Sequence, residues 1–67
     1  MAVAKIVELV GSSEKSWEDA VEETLKRMSR TIRNIKGVDV LSHKAIVENG
    51  KIKEYRVVMK VSFVVED

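Results

Sequence analysis

A chain of 67 residues with 12 basic and 11 acidic side chains, a net charge of +1 and no cysteine has room for one core, spanning residues 1–67 as a single domain. It has no disulfide staple or thiolate metal site and no strong field to attract a polyanion, so oligomerisation is the open route to stabilising so small a core. No apolar run approaches the roughly 20 residues of a membrane span, and the start MAVAKIVELV lacks the basic beginning and cleavage site of a secretory signal, so a cytoplasmic location is expected.

Val3 to Val10 is rich in β-branched residues, stops at Gly11 and reads as a strand. The stretch GSSEKS follows as a loop. Ser16 is its best helix N-cap, because Asp19 falls three residues later and gives a capping-box-like S-x-x-D. From there Trp17, Ala20, Val21, Leu25, Met28, Ile32 and Ile35 recur at steps of three and four, which predicts one long amphipathic helix. Asn34 or Gly37 could each supply its left-handed end.

The remainder reads as two strands around Asn49-Gly50, the dipeptide of a two-residue type I′ hairpin turn. That turn sets a register with Val47 opposite Ile52, His43 opposite Arg56 and Asp39 opposite Lys60. On one face of the last strand Tyr55, Val57, Met59, Val61, Phe63 and Val65 form an apolar row, with Val38, Val40, Ser42 and Lys44 opposite. This face holds the helix. The other face carries Ile52, Glu54, Arg56, Val58, Lys60, Ser62 and Val64, joined by Gly37, Asp39, Leu41, His43, Ala45 and Val47. Length then becomes decisive. A strand of about 15 residues spans about 50 Å, whereas a helix of about 19 residues spans roughly 29 Å. One helix leaves the strand overhanging and the second face's valines and leucine bare. Other copies of the chain are the simplest cover, and an obligate homo-oligomer is expected.

The β-α-β-β order, with KIVELVGSSEKSWEDAV (residues 5–21) at the entry to the helix and EYRVVMKVSF (residues 54–63) in the last strand, resembles the dodecin family across essentially the whole chain. The resemblance implies an α+β fold in which a three-stranded antiparallel sheet partly wraps one helix. It also implies assembly into a hollow homododecamer that binds and stores flavins (riboflavin, FMN or FAD) without catalysis. In flavin-binding dodecins a tryptophan at the start of the second strand stacks on the flavin ring, and a glutamine after the last strand's tyrosine bonds to its polar edge. The matching positions here are Gly37 and Arg56. Glycine offers no π surface, and arginine donates hydrogen bonds but cannot accept one. The resemblance therefore implies a family pocket at Gly37 and Arg56, with Asp39 a possible neighbour, altered or weakened for flavin.

Other residues carry less. Trp17, in the helix's first turn, reads as core packing rather than ligand stacking, and the lone His43 as a surface or interface residue. Lys60 and Asp39 read as a cross-strand ion pair. Glu8, Asp39, Glu48, Glu54 and Glu66 are candidates for a hard-cation site for calcium or magnesium if symmetry multiplies them, so a divalent-cation or purely structural dodecin-fold particle is the alternative function. Arg56 suggests an anionic ligand or a network with Asp39 or Glu54. No phosphate-loop, dinucleotide or nucleophile-elbow motif occurs, so no enzyme is expected. Near-neutral charge and the lack of an exposed aromatic pair on the sheet argue against nucleic acid.

Overall fold

The computed structural model describes residues 3–65 and has the order β1 (Val3–Ser13), α1 (Trp17–Met28), β2 (Ile35–Glu48) and β3 (Lys51–Val65). The sheet is antiparallel with β3 in the middle, in the order β1-β3-β2. The absence of proline and glycine from β3 now has its reason: a central strand must bond on both edges along its whole length.

The helix starts as the capping signal predicts. Ser16 Oγ accepts from the Asp19 backbone N–H at 2.9 Å. The Asp19 carboxylate does not close the box; it accepts from Ser13 Oγ at 2.6 Å instead, tying the strand's end to the first turn. The helix ends much earlier than predicted, at Met28, so it has 12 residues. Ser29 turns its hydroxyl back onto the Leu25 carbonyl at 2.8 Å, and Thr31, Ile32 and Asn34, poor helix formers, follow. Of the two predicted left-handed residues, Asn34 is one, with φ of 61°, but it sits in the connection to β2; Gly37 lies within β2. Ile35 does reach the core, from the first position of β2 rather than from the helix.

Ala20, Val57, Met59 and Val61 are fully buried, with Leu9, Trp17, Leu25 and Met28 among the side chains packed around them. The helix sits over β1 and β3. Gly11 does not end the first strand, as the sequence suggested, but lets it run on to Ser13 beneath the helix. A Cβ there would lie 2.9 Å from the Ala20 carbonyl oxygen and 3.0 Å from Met59 Cε, and would also collide with Thr24 Oγ1. A 12-residue helix covers about 18 Å. The chain is 51 × 21 × 13 Å, so much of the sheet's length lies beyond the helix.

Asn49 and Gly50 have φ of 54° and 75°, the conformation a type I′ turn requires. The register holds at Val47–Ile52 and from Asp39–Lys60 to Val40–Met59, but not over Ser42 to Ile46. The pairing shifts between Ile46 and Val47 and again between Val40 and Ser42. Each β-bulge inserts an extra residue and changes the phase of alternation. His43 therefore pairs with Val57, not Arg56, and Ala45 with Tyr55. Both move to the helix side, while Ser42 and Lys44 move to the other face. At the hairpin tip Val47 and Ile52 leave the Arg56 face as well, and are 62% and 49% exposed.

Candidate functional site

The face turned away from the helix is built from rows running across the three strands. Ile6, Ser62 and Gly37 form one, and Glu8, Lys60 and Asp39 the next. Val10, Val58 and Ser42 follow, then Ser12, Arg56 and Lys44. Ile6 is 59% exposed and Val10 60%, and Leu41, the extra residue of a bulge, is exposed beside them. The face is amphipathic: exposed aliphatic side chains alternate with charged and hydroxyl rows, a mixture that suits a contact or ligand face.

The structure places Gly37 and Arg56 on this one face, as the sequence indicated, but far apart. Gly37 pairs with Ser62, six residues from Arg56 on β3, which is about 20 Å along a strand. Ser62 Oγ donates to the Gly37 carbonyl at 3.4 Å. Asp39 lies in the row next to Gly37 and faces Lys60, though the ion pairs among the described residues are Lys53–Glu48 at 3.0 Å and Arg56–Glu54 at 3.3 Å. Arg56 thus meets Glu54, one of its two suggested partners, and not Asp39.

Glu54 is held below the usual carboxylate range first by a hydrogen bond from the Ser12 hydroxyl, opposed by desolvation, and then by the Arg56 and Lys53 charges. Among the cation-site candidates, Glu8 and Asp39 flank Lys60, Glu48 pairs with Lys53 and Glu54 with Arg56, while Glu66 lies outside the described residues. The described residues contain no group of three or more His, Cys, Asp or Glu side chains placed to hold a metal ion.

Trp17 is a packing residue. Its ring meets Tyr55 edge-on at 4.8 Å and His43 at 5.6 Å, and its Nε1–H donates to the Lys44 carbonyl at 3.1 Å. These contacts tie β2 and β3 to the start of α1. Two clefts, of about 390 and 410 Å³, flank the helix: one between α1 and β1 over Gly11 and Thr24, bordered by Val10 and Ser12, the other around Asn34 and Phe63. Lys44 and Ser12, the side chains on either side of Arg56, were not singled out from sequence, because the bulge at Leu41 that brings Lys44 to this face was not read.

Comparison with known proteins gives a consistent result. The family model described as Dodecin matches residues 3–66. The chain is 37% identical to the dodecin of Thermus thermophilus over 65 residues, covering 97% of this chain and 94% of that protein. It is 30% identical to the calcium dodecin of Mycobacterium tuberculosis over 63 residues, covering 94% and 89%. A crystal structure of an arginine-to-alanine variant of the Thermus protein superposes with a TM-score of 0.94 at 36% identity over the whole of both chains. That of the Mycobacterium protein, described as calcium-chelating with a novel calcium-binding site, superposes with a TM-score of 0.82 at 32% identity, covering 96% and 91%.

Proposed function

The chain belongs to the dodecin family, and on that premise we propose that it is a homododecameric binding and storage protein, not an enzyme, whose outer sheet face takes up a flavin or related anionic cofactor. The observation that carries this reading is the placement of both family pocket positions, Gly37 and Arg56, on the uncovered face. Their separation of about 20 Å exceeds the length of a tricyclic ring. A ligand touching both would take Gly37 from one copy and Arg56 from another, so binding and assembly are coupled. With no ring at Gly37 and no amide at Arg56, flavin is held more weakly than in members that have tryptophan and glutamine there.

Fluorescence quenching and calorimetry with riboflavin test this, using the natural chain beside the double variant Gly37→Trp with Arg56→Gln. A Cβ at Gly37 meets only Ser62 Oγ, at 3.0 Å, a hydroxyl that can rotate away, so no backbone atom blocks a side chain there. Restored stacking should tighten binding roughly 5- to 150-fold, the equivalent of about 1–3 kcal/mol. Nanomolar riboflavin binding by the natural chain, or a double variant indifferent to flavin, would contradict the reading.

A second reading is a divalent-cation particle, favoured by the relative named for calcium and by the Glu8–Lys60–Asp39 row, which carries two carboxylates on the contact face. Such a site would gather carboxylates from more than one copy. Calcium that raises the melting temperature of the natural chain but not of Asp39→Asn supports it; no response in either removes it.

A further inference from the structure

On the side of the molecule opposite the open sheet face, the outer surface of α1 carries its charges in a definite order. Glu18, Glu22, Lys26 and Arg30 follow one another at steps of four, which places them on one stripe. Arg30 stands past Met28, the last helical residue, yet stays on the coil. Its N–H donates to the Arg27 carbonyl at 3.2 Å, and the Ile32 N–H donates to the Met28 carbonyl at 2.8 Å. All four side chains are exposed, while Ala20, Leu25 and Met28 turn to the core. The ion pairs among the described residues, Lys53–Glu48 and Arg56–Glu54, engage none of the four. The helix dipole favours acids in the first turn and bases in the last, which accounts for Glu18 and Lys26 but not for Glu22 in the second turn. Taken whole, the stripe is antisymmetric. Counted from Thr24, acids stand two and six residues before it and bases two and six residues after it. A two-fold axis near Thr24 therefore turns every acid of one copy onto a base of another, the self-complementarity that an isologous contact requires.

We propose that assembled particles of this chain dock on one another through α1, antiparallel across a two-fold axis, with Glu18 facing the partner's Arg30 and Glu22 the partner's Lys26. This contact goes beyond the homododecamer and rests on it: copies that cover the sheet face leave the helix side as the particle's free surface. Packed helices lie about 8–10 Å apart, a gap that a glutamate from one side and a lysine or arginine from the other can close. Exposed ion pairs are individually weak, so a single stripe gives a reversible contact. A particle that displays the stripe on every copy meets several neighbours at once, and contacts build clusters. Ionic strength then controls the clustering, because exposed charges act over about 30 Å at 0.01 M salt and only about 8 Å at 0.15 M.

Light scattering on the whole protein tests the contact, at neutral pH in about 0.01 M and about 0.5 M salt. The natural chain should have an average mass at least twice as large in low salt as in high salt. Two double variants keep the net charge at +1 and separate this contact from charge in general. Glu22→Lys with Lys26→Glu still sets every acid against a base and should keep the association. Glu22→Lys with Arg30→Glu sets acid against acid and base against base, and should abolish it. Glu22→Gln with Lys26→Gln removes pairs without adding repulsion and should weaken association roughly 2- to 30-fold. This last variant decides the matter where a swap disturbs the particle, which its mass in high salt reveals. A natural chain whose mass does not rise in low salt overturns the contact. Equal association of the two swap variants, or a glutamine variant that associates like the natural chain, overturns it as well. The mass in high salt reports assembly through the sheet and the gain in low salt reports the helix contact, so each can fail without the other.

Discussion

Gly11 lies in the middle of a strand because a helix passes over it. The nearest fixed atom to a Cβ there is the Ala20 carbonyl oxygen at 2.9 Å, which cannot move without shifting the helix. Gly11→Ala should therefore destabilise the fold by about 1–3 kcal/mol, as overpacking generally does. Thermal melts at matched protein concentration check this, and an unchanged melting temperature would mean that α1 sits farther from β1. Glu54 gives a prediction in pH. Its folded pKa lies below its unfolded value, so it contributes stability above the unfolded value that is lost as pH falls through the folded one. The deficit of Glu54→Gln relative to the natural chain should be present at neutral pH and disappear in acid. A deficit that grows as pH falls would reverse the assigned sign.

At the scale of elements, the hairpin's turn governs how its two strands meet. Gly50 has φ of 75° and open space around it, so Gly50→Ala would add only backbone strain. A cost of roughly 1 kcal/mol is expected in denaturant unfolding, the usual penalty of the left-handed region for a residue with a Cβ. The turn itself was legible from Asn49-Gly50, and so were the N-cap at Ser16 and the apolar row of β3. The bulge at Leu41 was legible only in hindsight. Apolar positions fall on even numbers at Val38 and Val40, then on odd numbers at Ala45 and Val47, a change of phase that a single uninterrupted register cannot accommodate. Reading one register put Ser42 and Lys44 in the core and His43 outside it. The early end of the helix was hidden for a different reason: Ile32 and Ile35 continue its apolar spacing, and Ile35 reaches the same core from a strand. Periodicity reports which side chains are buried, not which element carries them there.

At the scale of the whole molecule, a helix of about 18 Å against a sheet in a chain 51 Å long is a mismatch that one copy cannot resolve. Ile6, Val10 and Val58 line the face left over, with Val10 and Val58 in a row between those of Gly37 and Arg56. Covering that face with other copies would stabilise so small a core. Val58 lies at its centre, facing Val10 on one side and Ser42, rather than Leu41, on the other. An unpaired carboxylate buried there costs several kcal/mol, enough to dissociate an assembly. The decisive measurement is the mass in solution by light scattering at micromolar concentration, for the natural chain and for Val58→Asp. The natural chain should give about twelve times its 7.6 kDa chain mass, and the variant a much smaller particle that keeps its secondary structure. A natural chain that remains a stable monomer, or a Val58→Asp variant that assembles fully with an unchanged melting temperature, would show that this face is open to solvent.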